Sequence, residues 1–172
     1  MPWKKCTWET VAEHAFQVIQ RTGGLFLVTE GQKRKPNVMS IGWITIGVVW
    51  GRPVAVVLVR PSRYSHHLLE EHPVFTVNLP QETMKREIEI CGSYSGRNAD
   101  KFSLCQFTPL YLEGYSTPVI EECRASMVCS VVQKTRVEPS TFLPPILGEF
   151  YPQDDFHFVY FGEIEQAWQK ED

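Results

Sequence analysis

Three short clusters in the chain bring together side chains able to hold a polar or anionic ligand. In NVMSIGWITI, residues 37–46, Asn37, Met39 and Ser40 stand at the mouth of a run too apolar for a water-washed strand. RPSRYS, residues 60–65, packs two guanidinium groups and three hydroxyls into six positions. Arg60 and Arg63 offer forked charged donors, and Ser62, Tyr64 and Ser65 offer hydroxyls. A helix starting after this loop would add unpaired first-turn amides at the positive end of its dipole, which completes the inventory of an anion site. The alternative is an exposed turn capped by Ser62 or Ser65. In ICGSYSGRNADKF, residues 90–102, Gly92 and Gly96 permit close backbone approach, Ser93 and Ser95 bring hydroxyls, and Arg97 and Lys101 bring cations. Those glycines could equally end one helix before another begins near Asn98.

Other reactive side chains read more simply as structure. His66, His67 and His72 with Glu70 and Glu71 make no metal set, because no two of these imidazoles stand four apart and adjacent helical residues diverge. Cys91, beside Gly92, reads as a small hydrophobe at a packed helix end, unless its thiolate is stabilised. Lys33-Arg34-Lys35 reads as a solvated hairpin tip, with contact to a nucleotide phosphate or an acidic redox partner as its other use. His157 reads as a core or rim histidine, and Trp43 and Trp50 as barrel or interface packing.

The elements that must position these clusters are mostly strands. With 172 residues and 19.8 kDa, the chain is long enough for one domain, residues 1–172, that buries a core and keeps a pocket. A net charge of -3 and a pI near 6.0 argue against nucleic acid or an anionic membrane as partner. Five cysteines without a Cys-x-x-Cys spacing, and no signal peptide before Trp3, predict a reduced cytoplasmic protein. No apolar stretch reaches the roughly 18 residues of a spanning helix. A capping box at Thr10 to Glu13 and the stop at Gly23-Gly24 predict a helix over 10–22. Strands are expected over 24–29, 39–49, 54–60 and 74–78, with a hairpin at Gly51-Arg52-Pro53. Further helices are expected between Pro61 and Pro73 and over 81–90, and long strands over 122–137 and 156–168. Many strands with few, short helices imply a mainly β, antiparallel barrel.

In this order the motifs resemble the flavin reductase-like family of the FMN-binding split-barrel fold, flavoredoxin among its members. The resemblance runs from about Gly24 to Ala167. It rests on Asn37-Val38-Met39-Ser40 with Trp43, on Arg60 to Ser65, on Phe75-Thr76-Val77-Asn78-Leu79-Pro80, on Cys91-Gly92 and Ser95-Gly96-Arg97 through Asp100-Lys101-Phe102, and on Phe161-Gly162-Glu163-Ile164. Ser40 stands where relatives often carry Thr, which keeps the hydroxyl.

The resemblance implies a Greek-key-like barrel with a few short helices and bound FMN, usually in a homodimer with flavin at the subunit interface. Asn37, Val38, Met39 and Ser40 would line the flavin, and Arg60, Ser62, Arg63, Tyr64 and Ser65 would hold its phosphate and ribityl end, with the inward arginine left open. Asn78 and Leu79 would lie near the ring, and Ser95, Gly96, Arg97 and Lys101 would complete the site. Reductases of this kind that serve monooxygenases often carry a His near the last strand, where His157 stands approximately. The implied activity is an oxidoreductase taking electrons from NADH, NADPH or a protein donor and passing them to a flavin, ferric complex or redox partner. A flavoredoxin-type carrier and a non-catalytic flavin-binding module are the alternatives.

Overall fold

The computed structural model describes residues 2–33 and 35–171, so the Lys33-Arg34-Lys35 tip lies partly outside the described residues. A short strand β1 (Trp3–Cys6) leads into helix α1 (Trp8–Thr22). The helix starts two residues earlier than the capping box suggests, because Thr7 Oγ1 accepts from the Thr10 amide at 3.4 Å and makes Thr7 the cap. It ends as expected at Gly23, whose φ of 85° lets its amide turn back to the Ile19 carbonyl.

Strands β2 (Leu25–Glu30), β3 (Pro36–Ile41), β4 (Ile44–Val49), β5 (Arg52–Val59) and β6 (Val74–Leu79) follow, with α2 (Tyr64–Glu71) between the last two. The single strand expected over 39–49 is two strands, broken at Gly42-Trp43. The β4–β5 hairpin turns on Trp50 and Gly51, with φ of 55° and 70°, the paired left-handed geometry of a type I′ turn. Pro53 therefore sits inside β5, paired with Val48. Helices α3 (Lys85–Ser93) and α4 (Lys101–Cys105) and a small hairpin of β7 (Pro109–Leu110) and β8 (Val119–Ile120) precede the long strands β9 (Ala125–Arg136) and β10 (Phe158–Lys170). Between β9 and β10 the chain makes a 3-10 turn (Pro139–Thr141) and helix α5 (Pro144–Phe150).

The sheet order is β3-β2-β6-β9-β10-β5-β4, every neighbouring pair antiparallel, with β1 added to β10. Its two edge strands, β3 and β4, are separated in sequence only by Gly42 and Trp43. Edges at opposite ends of a seven-strand path cannot be joined by two residues unless the sheet curls round on itself. The result is a barrel that is split along the β3–β4 seam, where the two edges are not hydrogen-bonded to each other and β3 has a strand partner on one side only.

Alternation along β2 separates two cores. Leu25 and Leu27 point into the barrel among Val57, Phe75, Val77 and Met127, while Phe26 and Val28 point outward beneath α3 and α4. Inside, a Cβ on Gly162 would come within 2.4 Å of the Phe75 ring, so only glycine admits that ring. No helix among the described residues is long and apolar enough to cross a membrane.

Candidate functional site

The outer layer and the barrel seam enclose two adjoining cavities. One, of about 240 Å³, lies where the first turn of α2 meets the α3–α4 connection, and the other, of about 160 Å³, follows the seam past Gly42, Trp43 and Leu58 to His157. Met39, Ser40 and Arg63 line both. Together they form one groove with a hydroxyl-rich end at Lys101 and Arg63 and an aromatic-walled end that Arg60 and Arg63 also line.

The hydroxyl-rich end depends on two glycines. A Cβ on Gly96 would fall 1.9 Å from Asn37 Oδ1, and one on Gly92 would fall 2.7 Å from Ser40 Oγ. The polar cluster of residues 90–102 is thereby pressed against the polar mouth of β3. Asn37 Nδ2 donates to Ser65 Oγ at 2.9 Å, which ties β3 to the first turn of α2. No side chain caps that turn; its N-cap is Arg63, whose carbonyl accepts from the His66 amide at 3.1 Å, so the turn offers a ligand the Tyr64 and Ser65 amides. Arg63 Nη1 donates to the Gly92 carbonyl at 3.2 Å from within the cavity wall.

Lys101 is the decisive group of this end. It is 4% exposed, its Nζ reaches only the Cys91 carbonyl at 3.4 Å, and it makes no ion pair among the described residues. Burial holds its pKa below the usual lysine range; Cys91 opposes this, the Arg63 charge adds to it more weakly than Cys91 opposes, and Cys105 opposes least. Arg63 and Lys101 thus line one cavity with no carboxylate among its lining residues, a charge arrangement that suits an anion.

The other end combines Leu58 and an aromatic wall with the Arg60 side chain. Trp43 packs edge-on against Phe150, with ring centroids 5.3 Å apart, and against His157 at 4.8 Å. His157 Nδ1 is 2.8 Å from the Tyr151 hydroxyl. Burial, helped by the Arg60 charge, lowers the His157 pKa to about 4, so the imidazole is neutral at physiological pH.

A sequence model described as "Flavin reductase like domain" matches residues 20–172. The chain belongs to this flavin reductase-like family. An uncharacterized protein of Archaeoglobus fulgidus is 28% identical over 116 residues, 67% of this chain, which spans 64% of that protein's length. Among solved structures, the flavoredoxin of Methanosarcina acetivorans is 28% identical with a TM-score of 0.65, over 86% of this chain and 69% of that one. The flavoredoxin of Desulfovibrio vulgaris (Miyazaki F), 23% identical over the same shares of the two chains, reaches a TM-score of 0.68 and shares the fold. The fold is the split barrel expected from the sequence, and the role of a flavin reductase-like domain is a flavin-related redox one.

For this flavin reductase-like domain the groove gathers Asn37, Met39, Ser40, Arg60, Ser62, Arg63, Tyr64, Ser65, Ser95, Gly96 and Lys101 from the positions singled out in the sequence. Four others are placed differently. Val38 is fully buried beneath α3, on the face of β3 that it shares with Ser40 but away from the groove. Asn78 is fully buried, with Oδ1 accepting from the Ile120 amide and Ser126 Oγ while Nδ2 donates to Thr76 Oγ1, so its side chain is committed to the β6–β8–β9 contact rather than to a ring edge. Leu79 points into the barrel core. Arg97 braces the loop from outside, donating to the Ser62 carbonyl at 2.9 Å with its guanidinium 5.4 Å from the Tyr64 ring centroid.

Both arginines of RPSRYS line the seam cavity, and Arg63 lines the other cavity as well, but their partners differ. Arg60 spends Nη1 on the Asp155 carbonyl and Nη2 on the Phe150 carbonyl, both at 2.8 Å, and lies over the Tyr151 ring. It pins the β9–β10 connection over the aromatic-walled end, while Arg63 turns to the hydroxyl-rich end. Leu58, Gly42 and Tyr94 also line the groove without having been singled out. For Leu58 a signal existed, since it stands two residues before Arg60 on the same strand face.

Proposed function

We propose that the groove binds FMN, with the phosphate at Arg63 and Lys101 and the ring toward Met39, Trp43 and Leu58. On this reading the protein is an oxidoreductase that takes electrons from NADH, NADPH or a protein donor and passes them to a flavin, ferric complex or redox protein. The observation that carries the reading is the buried Lys101 beside Arg63 with no carboxylate partner among the described residues, at one end of a groove whose other end has the aromatic wall of Trp43. A dianionic phosphate joined to a flat, largely apolar ring has that division of chemistry.

Bound FMN would supply the electron chemistry itself, so no side-chain nucleophile or general base is needed. This chain's residues supply the rest. Arg63, Lys101 and the free first-turn amides of α2 neutralise and orient the phosphate, and Ser62, Ser65 and Ser95 offer hydroxyls to the polar chain beside it. Met39 gives a polarisable surface for the ring. Trp43, Phe150 and the neutral His157 narrow the aromatic-walled end and exclude water from it.

A flavoredoxin-type carrier is the second reading, favoured by the 28% identity to the Methanosarcina acetivorans flavoredoxin. Homodimerisation belongs to the same proposal. Leu143, Ile146 and Phe150 around α5, and Val48 and Trp50 at the β4–β5 hairpin turn, expose large apolar surfaces that a second copy would cover.

The visible spectrum of purified protein, followed by anaerobic titration, tests the proposal. FMN should be retained or taken up, and NADH or NADPH should bleach it if the protein is a reductase, a protein donor alone if it is a carrier. Folded protein that takes up no FMN at any concentration near saturation sinks both readings.

A further inference from the structure

Two thiols that the redox proposal does not use lie under the hydroxyl-rich end of the groove. Cys91 Sγ, near the end of α3, is 3.8 Å from Cys105 Sγ, at the end of α4. Cys91 is 1% exposed and lines the 240 Å³ cavity, and Cys105 is 8% exposed. We propose that Cys91 and Cys105 form a reversible intramolecular disulfide that controls anion binding at the cavity.

The geometry asks for little. Joining the sulfurs requires an approach from 3.8 Å to the roughly 2.05 Å of a disulfide, a shift that two short helices packed through side chains can share. The contact between the thiols divides their acidities. Cys91 is pushed up by its hydrogen bond to Cys105 and by burial, while the same bond holds Cys105 down against its own burial. Cys105, 8% exposed against 1% for Cys91, is also the thiol an external oxidant reaches first, which makes Cys91 the resolving thiol.

With a peroxide as oxidant the step balances. Cys105 Sγ attacks one peroxide oxygen, the O–O bond breaks, and the departing hydroxide takes the Cys105 proton as water. Cys91 Sγ then attacks the sulfenic sulfur, the S–S bond forms, and the hydroxyl leaves as a second water with the Cys91 proton. The two sulfurs lose two electrons and the peroxide gains them. An external dithiol reverses the change.

The structural consequence falls on the cavity. Cys91 precedes Gly92, which touches Ser40, and its carbonyl is the only acceptor for Lys101 Nζ among the described residues. Drawing α3 toward α4 moves both. This consequence, unlike the disulfide, rests on the FMN reading above.

The test is peroxide treatment of FMN-loaded protein, followed by alkylation of remaining thiols, peptide mass spectrometry and FMN titration. The expected result is a Cys91–Cys105 crosslink, lighter by two hydrogens and removed by dithiothreitol. FMN affinity should fall at least about tenfold in the crosslinked form, the scale of one charge-assisted hydrogen bond. Cys105→Ala should abolish both the crosslink and the effect of peroxide on affinity. Cys123→Ser should abolish neither, although Cys123 shares the buried cluster. Oxidation to sulfinic acids or mixed disulfides without the crosslink overturns the proposal, as does a crosslink that leaves FMN affinity unchanged. The crosslink is read by mass, without flavin, so protein that forms it but never binds FMN when reduced refutes the FMN reading instead.

Discussion

Asn37 Nδ2 donates to Ser65 Oγ at 2.9 Å, and both residues are buried. This bond fixes the edge strand β3 to the first turn of α2, so the polar mouth of the groove and the amides of that turn move as one unit. Asn37→Ala leaves the Ser65 hydroxyl buried without that donor, which costs about 1–3 kcal/mol of stability. Urea unfolding should show the loss, and FMN titration of the folded variant should show weaker binding. Gly96→Ala should disturb the same bond by sterics alone, because its Cβ would fall 1.9 Å from Asn37 Oδ1.

Lys101 gives a prediction whose sign depends on ligand. Without an anion its burial is a cost, so Lys101→Met, which keeps much of the volume and removes the charge, should leave the flavin-free protein as stable or more stable. FMN binding should fall by about 10- to 150-fold, the worth of a lost charge-assisted contact of roughly 1.5–3 kcal/mol, and riboflavin binding should change far less. The pH dependence follows from the lowered pKa. Between the folded value and the unfolded 10.5 the unfolded chain binds more protons, so flavin-free stability should rise with pH through that window. Thermal unfolding across alkaline pH should show this slope in the parent and lose it in Lys101→Met.

Much of this groove was legible in the sequence, and what was not has identifiable causes. The strands announced themselves as β-branched runs between Gly and Pro breakers, and α2 was bounded by Pro61 and Pro73. The split at Gly42-Trp43 was hidden because apolar residues continue on both sides of it, and only the sheet order shows that β3 and β4 occupy opposite edges. The strands β1, β7 and β8, with four, two and two residues, are too short to carry a period. Asn78 looked like a ligand group because its partners at Ile120 and Ser126 are 42 and 48 residues away. The same distance problem hid the Cys91–Cys105 contact, which forms only when α3 and α4 pack on the back of β2 and β3.

His157 should titrate far below an ordinary histidine. Its pKa of about 4 is set by burial and by the charges of Arg60 and Arg63, against the opposing Asp155. Between about 4 and the unfolded 6.5 the unfolded chain binds the extra proton, so this residue destabilises the fold as pH falls through that window and contributes no penalty above it. Histidine NMR resonances followed from pH 7 to 4 should show one imidazole that stays neutral until the lower end. His157→Phe should flatten the acid limb of the stability profile. An ordinary titration near 6.5 would show that the Trp43 and Tyr151 wall does not exclude water.

The two arginines of RPSRYS should separate by phenotype. Arg63 faces the Lys101 cavity, so Arg63→Ala should remove a charged contact to the phosphate, weaken FMN by about 10- to 150-fold and spare riboflavin, narrowing the preference between them. Rising salt should weaken FMN in the parent in the same sense, as far as the phosphate remains open to solvent. Arg60 instead holds the Phe150 and Asp155 carbonyls with both terminal nitrogens. Arg60→Ala should keep the FMN-over-riboflavin preference, because the phosphate end is untouched. Its effect should appear as faster limited proteolysis between Val137 and Phe156, and as weaker binding of FMN and riboflavin alike when the wall over the ring loosens. If Arg60→Ala narrows the preference and Arg63→Ala does not, the groove is being read in the wrong direction, and the phosphate lies at the His157 end.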